Sequence, residues 1–585
     1  MLLREKNELH LLCVICEGDF IMEKEMEKLG LCLLLIIITY APVITAADSS
    51  EGESLLALSF VDELEDIFPD SECPEPALVS VALDVPRGGI AGIHILLNCL
   101  REGDELNFTI TESGRAVAEA KWYRLLDVPV EKNTGLKERL GTDNPYVIRK
   151  APFRVFDVLE PAESPVKIKA ETTALRLEIP TTSTEEPGTK QFDIILKTAD
   201  DTRKLTLELN IHKAVLPSVG KDSIRFTNWF NLEKIATHHN LEAFSPEYWK
   251  MLEKYSRLMS RSRQNTFWIP LSAVFEKQED NSYVLNRDRL RRMVQLFTDA
   301  GMYYIEGGHV ASRTNDEWLS KTFSILGTKG PIATSQEGDR LLSQICKQLM
   351  EEIEANGWRD RWIQHVADEP VETHAGRYRM LVGMVRKYMP GLPILDANME
   401  ATMAGIELFG AQDIWCPKPN SYEEHKEAYD EMKSRGDQIW FYTCLDPRGA
   451  YLNRLMDQER MRPMLIGWGA MLYDLDGFLH WGLNWYPFES PQGGVGDRFS
   501  PTIKGNLPPG DTHVVYPGVE GPLSSTRLEA HRIGFEDYEL LKMLKAKDAD
   551  RAGAIINKVI RSFSDYTKEP EIYRAARKEL LESLD

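Results

Sequence analysis

Between residues 224 and 483, short apolar segments of strand length alternate with longer amphipathic segments, and this alternation constrains the fold more than any other feature. The amphipathic segments have the periodicity of helices. Eight strand–helix units match a (β/α)8 TIM barrel in number and size, and a doubly wound open sheet is the alternative. The eight predicted strands are Ile224–Phe230, Thr266–Leu271, Met302–Gly307, Trp362–Ala367, Pro393–Ala397, Asp413–Pro417, Ile439–Cys444 and Gly477–Leu483.

Residues 52–218 have a different pattern, in which many short β-type segments are separated by turns rich in Gly, Pro, Asp and Thr. Strands at this spacing, with few helical segments between them, predict a β-sandwich. We place the domain boundary at Leu216–Gly220. The (β/α)8 barrel is then expected over residues 222–546, and residues 547–585 are expected to form a charged, helical C-terminal tail. The predicted fold class is multidomain, β followed by α/β.

Residues 1–47 have the features of an export signal. Lys24 and Lys28 precede an apolar run from Leu31 to Ile44, and the small residues Thr45, Ala46 and Ala47 follow it. This is the order of charged region, apolar region and cleavage site in a secretory signal peptide. The protein is therefore expected in the periplasm, at the cell surface or in the medium. A retained membrane anchor is the alternative, although the apolar run is short for a spanning helix.

Charge and motifs argue against several classes of function. A formal net charge of -22 disfavours nucleic acid or an anionic membrane as a partner. No glycine fingerprint for a dinucleotide follows a predicted strand, so no cofactor is expected. Downstream of the leader the sequence has no HExxH or CxxC motif, and the pair His238–His239 is too isolated for a metal site. No metal is therefore expected.

The fourth predicted strand ends in His365-Val366-Ala367-Asp368-Glu369-Pro370, which places two adjacent carboxyl groups at its C-terminal end. In a TIM barrel the active site is built from the C-terminal ends of the strands and the loops that follow them. A solvated loop whose acid caps the next helix is the alternative explanation. Because the pair coincides with a strand end and has aromatic-rich neighbours, we interpret Asp368 and Glu369 as catalytic.

The other predicted strand ends carry side chains suited to binding a sugar. Tryptophan faces stack on sugar rings, and Asn, Asp and His form hydrogen bonds with hydroxyl groups. Packing explains each of these residues individually, but together they predict a carbohydrate cleft. The predicted substrate-binding residues are His309, Asn398, Trp415, Tyr442, Asp446, Trp481, Asn484 and Trp485, with Glu306, Asp396, Glu400, Lys418 and His480 at similar positions.

Four segments resemble glycoside hydrolase family 123. They are HVADEP at 365–370, IWFYTCLDP at 439–447, GWGAMLYDLDGFLHWGLNW at 467–485, and a tail with VVYPG at 514–518 and STRLEAHRIGFEDYELL at 525–541. The resemblance covers roughly residues 220–545, and a preceding β-sandwich is also the family's arrangement. It implies a retaining β-N-acetylgalactosaminidase that acts on a glycan or glycolipid with a terminal 2-acetamido sugar, with Asp368 and Glu369 as the catalytic pair.

Substrate-assisted catalysis explains why the two acids are adjacent. The 2-acetamido carbonyl of the sugar attacks the anomeric carbon, so the enzyme needs no nucleophile of its own. Glu369 is expected to act as general acid and then as general base, and Asp368 to orient the acetamido N–H and stabilise the oxazolinium ion. Tyr442 is the candidate donor to the acetamido oxygen.

Two alternatives stay open at this point. One is a retaining glycosidase of other specificity, with Asp446 as nucleophile. The strand IWFYTCLDP offers no Glu, and this absence favours substrate assistance. The other alternative is a glycan-binding protein without catalysis.

Overall fold

The computed structural model describes residues 56–399, 408–486 and 507–585. The chain divides into two units, Met1–Glu53 and Ser54–Asp585. The predicted leader and Glu400 lie outside the described residues. Among the helices that are described, none is both long enough and apolar enough to cross a membrane.

The N-terminal part is built from strands, as the pattern of short β-type segments predicts. The strands are β1 (Ala57–Val61), β2 (Ser80–Arg87), β3 (Ile90–Asn98), β4 (Glu105–Glu112), β5 (Arg115–Ala116), β6 (Lys121–Val130), β7 (Phe153–Pro161), β8 (Val166–Lys167), β9 (Thr173–Pro180), β10 (Gly188–Lys197) and β11 (Thr202–Val215).

These strands form two sheets that pack face to face. One has the order β2-β11-β10-β4-β5, with β8 also paired to β4, and the other contains β1-β3-β9-β6-β7. Their facing side chains form one apolar core, to which Phe60 and Ile95 contribute from the second sheet and Phe108, Phe192 and Leu207 from the first. Alternate residues of a strand point to opposite faces, which is why every second residue of β4 and β10 is buried.

Strands and helices alternate in the remainder of the chain. The strands are β12 (Arg225–Asn228), β13 (Thr266–Ile269), β14 (Phe275–Lys277), β15 (Tyr283–Leu285), β16 (Tyr304–Gly307), β17 (Ala311–Arg313), β18 (Phe323–Ile325), β19 (Trp362–Gln364), β20 (Leu395–Asn398), β21 (Ile414–Pro417), β22 (Gln438–Thr443), β23 (Gly477–His480), β24 (Tyr516–Pro517), β25 (Pro522–Ser525), β26 (Ile560–Ser562) and β27 (Asp565–Tyr566). The helices are α1 (Leu232–His238), α2 (Pro246–Arg261), α3 (Leu271–Val274), α4 (Arg287–Asp299), α5 (Gln336–Ala355), α6 (Ala375–Tyr388), α7 (Pro419–Glu424), α8 (Lys426–Ser434), α9 (Met461–Leu472), α10 (Thr526–Lys547), α11 (Ala549–Val559) and α12 (Pro570–Leu584).

A strand occurs at each of the eight predicted positions, and the paired strands run parallel. They form a sheet of five strands, β12-β23-β22-β21-β20, and a sheet of three, β13-β16-β19. Between β19 and β20 there is one parallel bridge, Gln364 to Ile394. Between β12 and β13, the Asn265 N–H donates to the Phe226 carbonyl over 3.2 Å. The mixed, multidomain α/β architecture is confirmed, whereas the described residues do not form one continuous closed sheet.

Local sequence sets the helix boundaries. Helix α2 begins with Ser245, whose side chain accepts a hydrogen bond from the Tyr248 N–H, followed by proline at the first helical position. Helices α7 and α8 are separate, because the backbone at His425 between them leaves the helical conformation. Helix α12 of the tail packs its apolar face into the core through Tyr573, Leu580 and Leu581.

A buried carboxylate joins the sandwich to the rest of the chain. Asp157 of β7 accepts hydrogen bonds from Arg527 Nη2 at 3.0 Å, the Tyr516 hydroxyl at 2.6 Å and the Thr526 hydroxyl at 2.8 Å. The neighbouring strand β25 also extends the sandwich sheet by pairing with β7. The two parts therefore share one sheet and one buried polar network.

We expect Asp157→Ala to destabilise the protein by about 3–5 kcal/mol, because it leaves the Arg527 guanidinium buried without its partner. Urea unfolding should show the loss. Asp200→Ala is the matched control: Asp200 pairs with Arg101 at 3.2 Å but is 71% exposed, so its removal should change stability by less than about 1 kcal/mol. Equal effects of the two substitutions would contradict a supporting role for Asp157.

Candidate active site

A cavity of about 1160 Å³ opens where the parallel strands end, and both predicted catalytic acids line it. Its walls are rich in aromatic rings, which suits a ligand with apolar sugar faces. The aromatic lining residues are Trp229, Phe230, Phe244, Tyr248, Trp268, His309, Trp318, Tyr442, Trp481 and Trp485.

The backbone of the catalytic pair is held by an arginine from a neighbouring hairpin. Arg313, at the end of β17, donates from Nη2 to the carbonyl of Asp368 at 3.0 Å and to the carbonyl of Glu369 at 3.1 Å. Glu369 has a φ of +40°, a conformation that side-chain-bearing residues rarely adopt. Positive φ at a functional position is often held in place by surrounding contacts, and Arg313 supplies such a contact here.

Burial and the neighbouring carboxylate raise the pKa of Glu369 to about 7, even though a hydrogen bond from Tyr442 favours the ionised form. The Tyr442 hydroxyl donates to Glu369 Oε1 at 2.5 Å. Burial also raises the pKa of Asp368, together with the charge of Asp396 and against the charge of Arg313. A carboxyl with a pKa near neutrality can both donate and accept a proton, as a general acid–base must.

Behind the pair lies a buried histidine between two carboxylates. His365 contacts Glu306 Oε1 through Nε2 at 2.7 Å and Asp396 Oδ1 through Nδ1 at 3.0 Å. Although burial disfavours the imidazolium, these two hydrogen bonds raise the pKa of His365 to about 9. Asp396 also accepts hydrogen bonds from the N–H groups of Val366 and Ala367. This network holds the segment after β19, which carries Asp368 and Glu369, in place.

Comparison with known families identifies the catalytic part. Residues 313–544 match the family profile described as "Glycoside hydrolase 123, catalytic domain". The chain therefore carries a family 123 glycoside hydrolase domain. The predicted resemblance to this family is confirmed, and the protein is a glycosidase.

One solved structure is similar over most of this chain. A family 123 glycoside hydrolase from Clostridium perfringens, whose structure accounts for glycolipid glycan hydrolysis, aligns with 90% of this chain and 97% of its own at 14% identity and a TM-score of 0.69. At this identity the similarity shows a shared fold.

More distant structures align weakly. Bacteroides uniformis β-glucuronidase 3 aligns with 77% of this chain and 50% of its own at 10% identity and a TM-score of 0.30. A xylanase from Thermobacillus composti aligns with 54% and 97% at 10% identity and a TM-score of 0.31. No curated protein matches the chain.

Five of the predicted substrate-binding residues line the cavity of the family 123 domain: Tyr442, His309, Asp446, Trp481 and Trp485. Asp446 accepts a hydrogen bond from Arg448 Nε at 2.7 Å, and the Trp481 indole donates to Asp511 at 3.0 Å. Trp485 is partly exposed and lies against Trp481, with ring centroids 5.8 Å apart. Both tryptophan rings therefore belong to the wall of the cavity.

Three predicted residues do not line the cavity, and we withdraw them as substrate contacts. Trp415 points to the opposite face of the sheet from Cys416, towards the helices, and its indole donates to Asp437 at 2.9 Å. Asn398 is buried and accepts a hydrogen bond from the Cys416 N–H at 2.9 Å. Asn484 is buried and accepts one from the Asn231 N–H at 2.7 Å. All three side chains satisfy structural hydrogen bonds.

The structure also adds residues that the sequence did not identify. Trp229 directly follows β12 and Trp268 lies in β13, so a systematic search of strand ends would have found them. Arg313 and Trp318 lie on the insertion around β17, and the Arg313 guanidinium stacks 3.9 Å from the Trp318 ring centroid. No repeat or motif marks this insertion in the sequence.

The side chains of His309, His365 and Asp396 offer one possible metal-ligand group, with potential ligand atoms within 4.8 Å of one another. Both ring nitrogens of His365 are already hydrogen-bonded to carboxylates. Burial lowers the pKa of His309 to about 3, and its Nε2 lies 3.5 Å from Asp396 Oδ1. A cation here would have to displace an existing hydrogen bond of His365, so we assign no ion to the site.

Proposed function

We propose that the protein is an exported, retaining β-N-acetylgalactosaminidase that cleaves a terminal 2-acetamido sugar by substrate-assisted catalysis. The observation that carries the proposal is the pair Asp368–Glu369 at the cavity wall, with the pKa of Glu369 raised to about 7 and the Tyr442 hydroxyl beside it. The profile match to family 123 supports the part of the proposal that concerns hydrolysis of a glycosidic bond.

In the first step, the acetamido oxygen of the substrate attacks the anomeric carbon as the bond to the leaving oxygen breaks. The protonated Glu369 gives its proton to that oxygen, so the leaving group departs as a neutral alcohol. In the second step, Glu369 takes a proton from water, and the water oxygen attacks the anomeric carbon and opens the oxazoline ring. Two inversions give overall retention.

Asp368 has the electrostatic role. Its carboxylate accepts a hydrogen bond from the acetamido N–H, which orients the carbonyl oxygen for attack, and it balances the positive charge that develops on the ring. On substrate binding, the Tyr442 hydroxyl would turn from Glu369 to the acetamido oxygen. Trp229, Trp268 and His309 form an aromatic wall in the same cavity, which suits the apolar face of the sugar.

One observation favours a second candidate, a retaining glycosidase with Asp446 as nucleophile. Asp446 lies just after β22 and lines the cavity. Its carboxylate, however, is paired with Arg448 Nε at 2.7 Å, which reduces its availability for attack.

We also propose that the eight parallel strands form a (β/α)8 barrel. The Gln364–Ile394 bridge at one seam and the Asn265–Phe226 hydrogen bond at the other support closure. Backbone amide exchange should then show protection at both seams, and rapid exchange at Gln364 and Asn265 would refute it.

Export is a separate part of the proposal, and it rests on the sequence of residues 24–47. The mature N-terminus is expected near Ala47 or Asp48. Full-length protein in the cytoplasm, found by N-terminal sequencing, would refute it.

The test of specificity is a set of aryl β-glycosides of N-acetylgalactosamine, N-acetylglucosamine, galactose and glucose. We expect cleavage of the 2-acetamido sugars, with N-acetylgalactosamine preferred, and almost none of galactose or glucose, because these lack the internal nucleophile. A thiazoline analogue of the oxazoline should inhibit. Comparable cleavage of the galactoside would refute substrate assistance, and absence of any cleavage would favour the glycan-binding alternative.

The pH dependence of kcat/KM should show a limb that falls as pH rises through about 7. Glu369 must carry a proton to act as general acid, and burial beside Asp368 raises its pKa to about 7, so the active form is lost above that pH. The residual activity of Glu369→Gln should lack this limb. A wild-type profile that stays flat from pH 5 to pH 9 would contradict the assignment.

A further inference from the structure

The segment between β6 and β7 of the sandwich reaches into the wall of the catalytic cavity. Lys137, Glu138 and Arg139 at its tip line the cavity that contains Asp368 and Glu369. These three residues have no role in bond cleavage as proposed above. Their position makes them part of the substrate-binding surface.

The base of the segment is fixed by a buried aspartate of the catalytic part. Asp457 accepts hydrogen bonds from the Thr134 N–H at 2.7 Å, the Thr134 hydroxyl at 2.9 Å and Asn133 Nδ2 at 3.2 Å. The turn above it is tight, since a Cβ on Gly135 would lie 2.5 Å from the Glu138 carbonyl oxygen. The tip is thus held in a defined place relative to the cavity.

Hydrogen bonds connect the tip to the segment that follows β22, the strand of Tyr442. The Arg448 guanidinium donates to the carbonyl of Glu138 and, at 2.7 Å, to Asp446. Asp446 follows β22, and Tyr442 of that strand donates to Glu369. The leaving group accepts its proton from Glu369, and a leaving sugar that extends from Glu369 past Asp446 meets the tip.

The tip carries two cations, whose nearest opposite charges are Asp143 for Lys137 and Asp511 for Arg139. Lys137 and Arg139 are exposed and form no salt bridge with any described residue. Asp143 is engaged by the N–H groups of Leu136 and Lys137, and the nearby Asp446 is already paired with Arg448. Neither cation is held in a salt bridge with a described residue, so both side chains at the cavity wall can turn towards an anion.

We propose that this tip is an aglycone subsite, in which Lys137 and Arg139 bind an acidic group, a carboxylate or a sulfate, on the sugar that leaves. A guanidinium binds either oxyanion with two parallel hydrogen bonds, and an ammonium adds a point charge. This inference rests on the proposed function, because it takes the side of Glu369 as the side of the leaving group. It adds the chemical class of the aglycone.

The test compares disaccharides that share a terminal N-acetylgalactosamine and differ in the leaving sugar, which is galactose, sulfated galactose or a uronic acid. We expect kcat/KM of the wild type to be about tenfold higher for one of the two acidic disaccharides than for the neutral one. A tenfold gain is the size of effect expected from one additional charge-assisted hydrogen bond. The sulfated and uronic substrates distinguish the two oxyanions. Added salt should reduce the preference.

The double variant Lys137→Ala/Arg139→Ala should lose this preference, mainly through KM for the acidic substrate. Lys132→Ala is the matched control: Lys132 is an exposed cation of the same segment that does not line the cavity, so the preference should persist. Thermal unfolding checks that each variant is folded.

Equal cleavage of neutral and acidic disaccharides by wild type, or an unchanged preference in the double variant, would overturn the inference alone. Absence of cleavage of every 2-acetamido glycoside, aryl substrates included, would instead remove the proposed function and the subsite with it.

Discussion

Replacing Glu369 with Gln is expected to lower kcat/KM for a natural glycan by about 10²–10⁴-fold, the usual effect of losing a general acid–base. The amide keeps the size of the side chain and can still accept the hydrogen bond from Tyr442, but it has no proton to give to the leaving oxygen. Steady-state kinetics with a disaccharide substrate measures the loss.

The leaving group provides the internal control for this variant. The leaving group of a dinitrophenyl glycoside is a dinitrophenolate ion, which departs without being protonated. The first step with this substrate should therefore be nearly as fast in Glu369→Gln as in wild type. The defect should therefore be much smaller for this substrate than for the disaccharide. An equal loss with both substrates would contradict the role of Glu369 as proton donor.

Asp368→Asn is expected to lower kcat/KM by on the order of 10²–10³-fold, similar to the loss of one preorganised electrostatic partner of a transition state. The amide lacks the negative charge that balances the oxazolinium ion. A good leaving group should not restore this activity, because formation of the charged ring remains impaired. The contrast between the two variants separates the two carboxyl roles.

Asp446→Asn is the comparison for Asp368→Asn. If Asp446→Asn abolishes activity while Asp368→Asn retains it, the nucleophile belongs to the enzyme and substrate assistance is wrong. With substrate assistance, Asp446→Asn should be the milder of the two, because Asp446 only pairs with Arg448 at the cavity wall.

Features that depend on local sequence could be predicted well. The β-type runs and the strand–helix alternation gave the order of elements, because side-chain periodicity follows directly from strand and helix geometry. The position of Asp368 and Glu369 at the cavity followed from a predicted strand that runs up to the two acids, although β19 itself ends at Gln364. The sequence could not show whether the eight strands close, because closure depends on pairing between Phe226 and Asn265 and between Gln364 and Ile394.

Side-chain direction and long-range contacts account for the remaining differences. Trp415 lies on a strand that ends at the cavity, but it alternates with Cys416 and therefore points to the helices. A shift of one residue in the predicted strand decides which face a side chain takes. Arg313 reaches the carbonyls of Asp368 and Glu369 from a hairpin outside the strand–helix pattern, and Lys137 and Arg139 come from the N-terminal sandwich. Nothing local in the sequence relates these residues to the catalytic pair.

The insertion of the sandwich tip into the cavity has a consequence for modular dissection of this enzyme. A fragment that begins near residue 220 would retain Asp368 and Glu369 yet lack the part of the cavity wall that the tip supplies, and it would expose Asp457, Arg448 and the edge of β25 to water. Such an excised module should therefore be a poor guide to the selectivity of the intact enzyme. If the proposed subsite is correct, exchange of the sandwich between related glycosidases should change the preference for the leaving sugar without any change in Asp368 and Glu369.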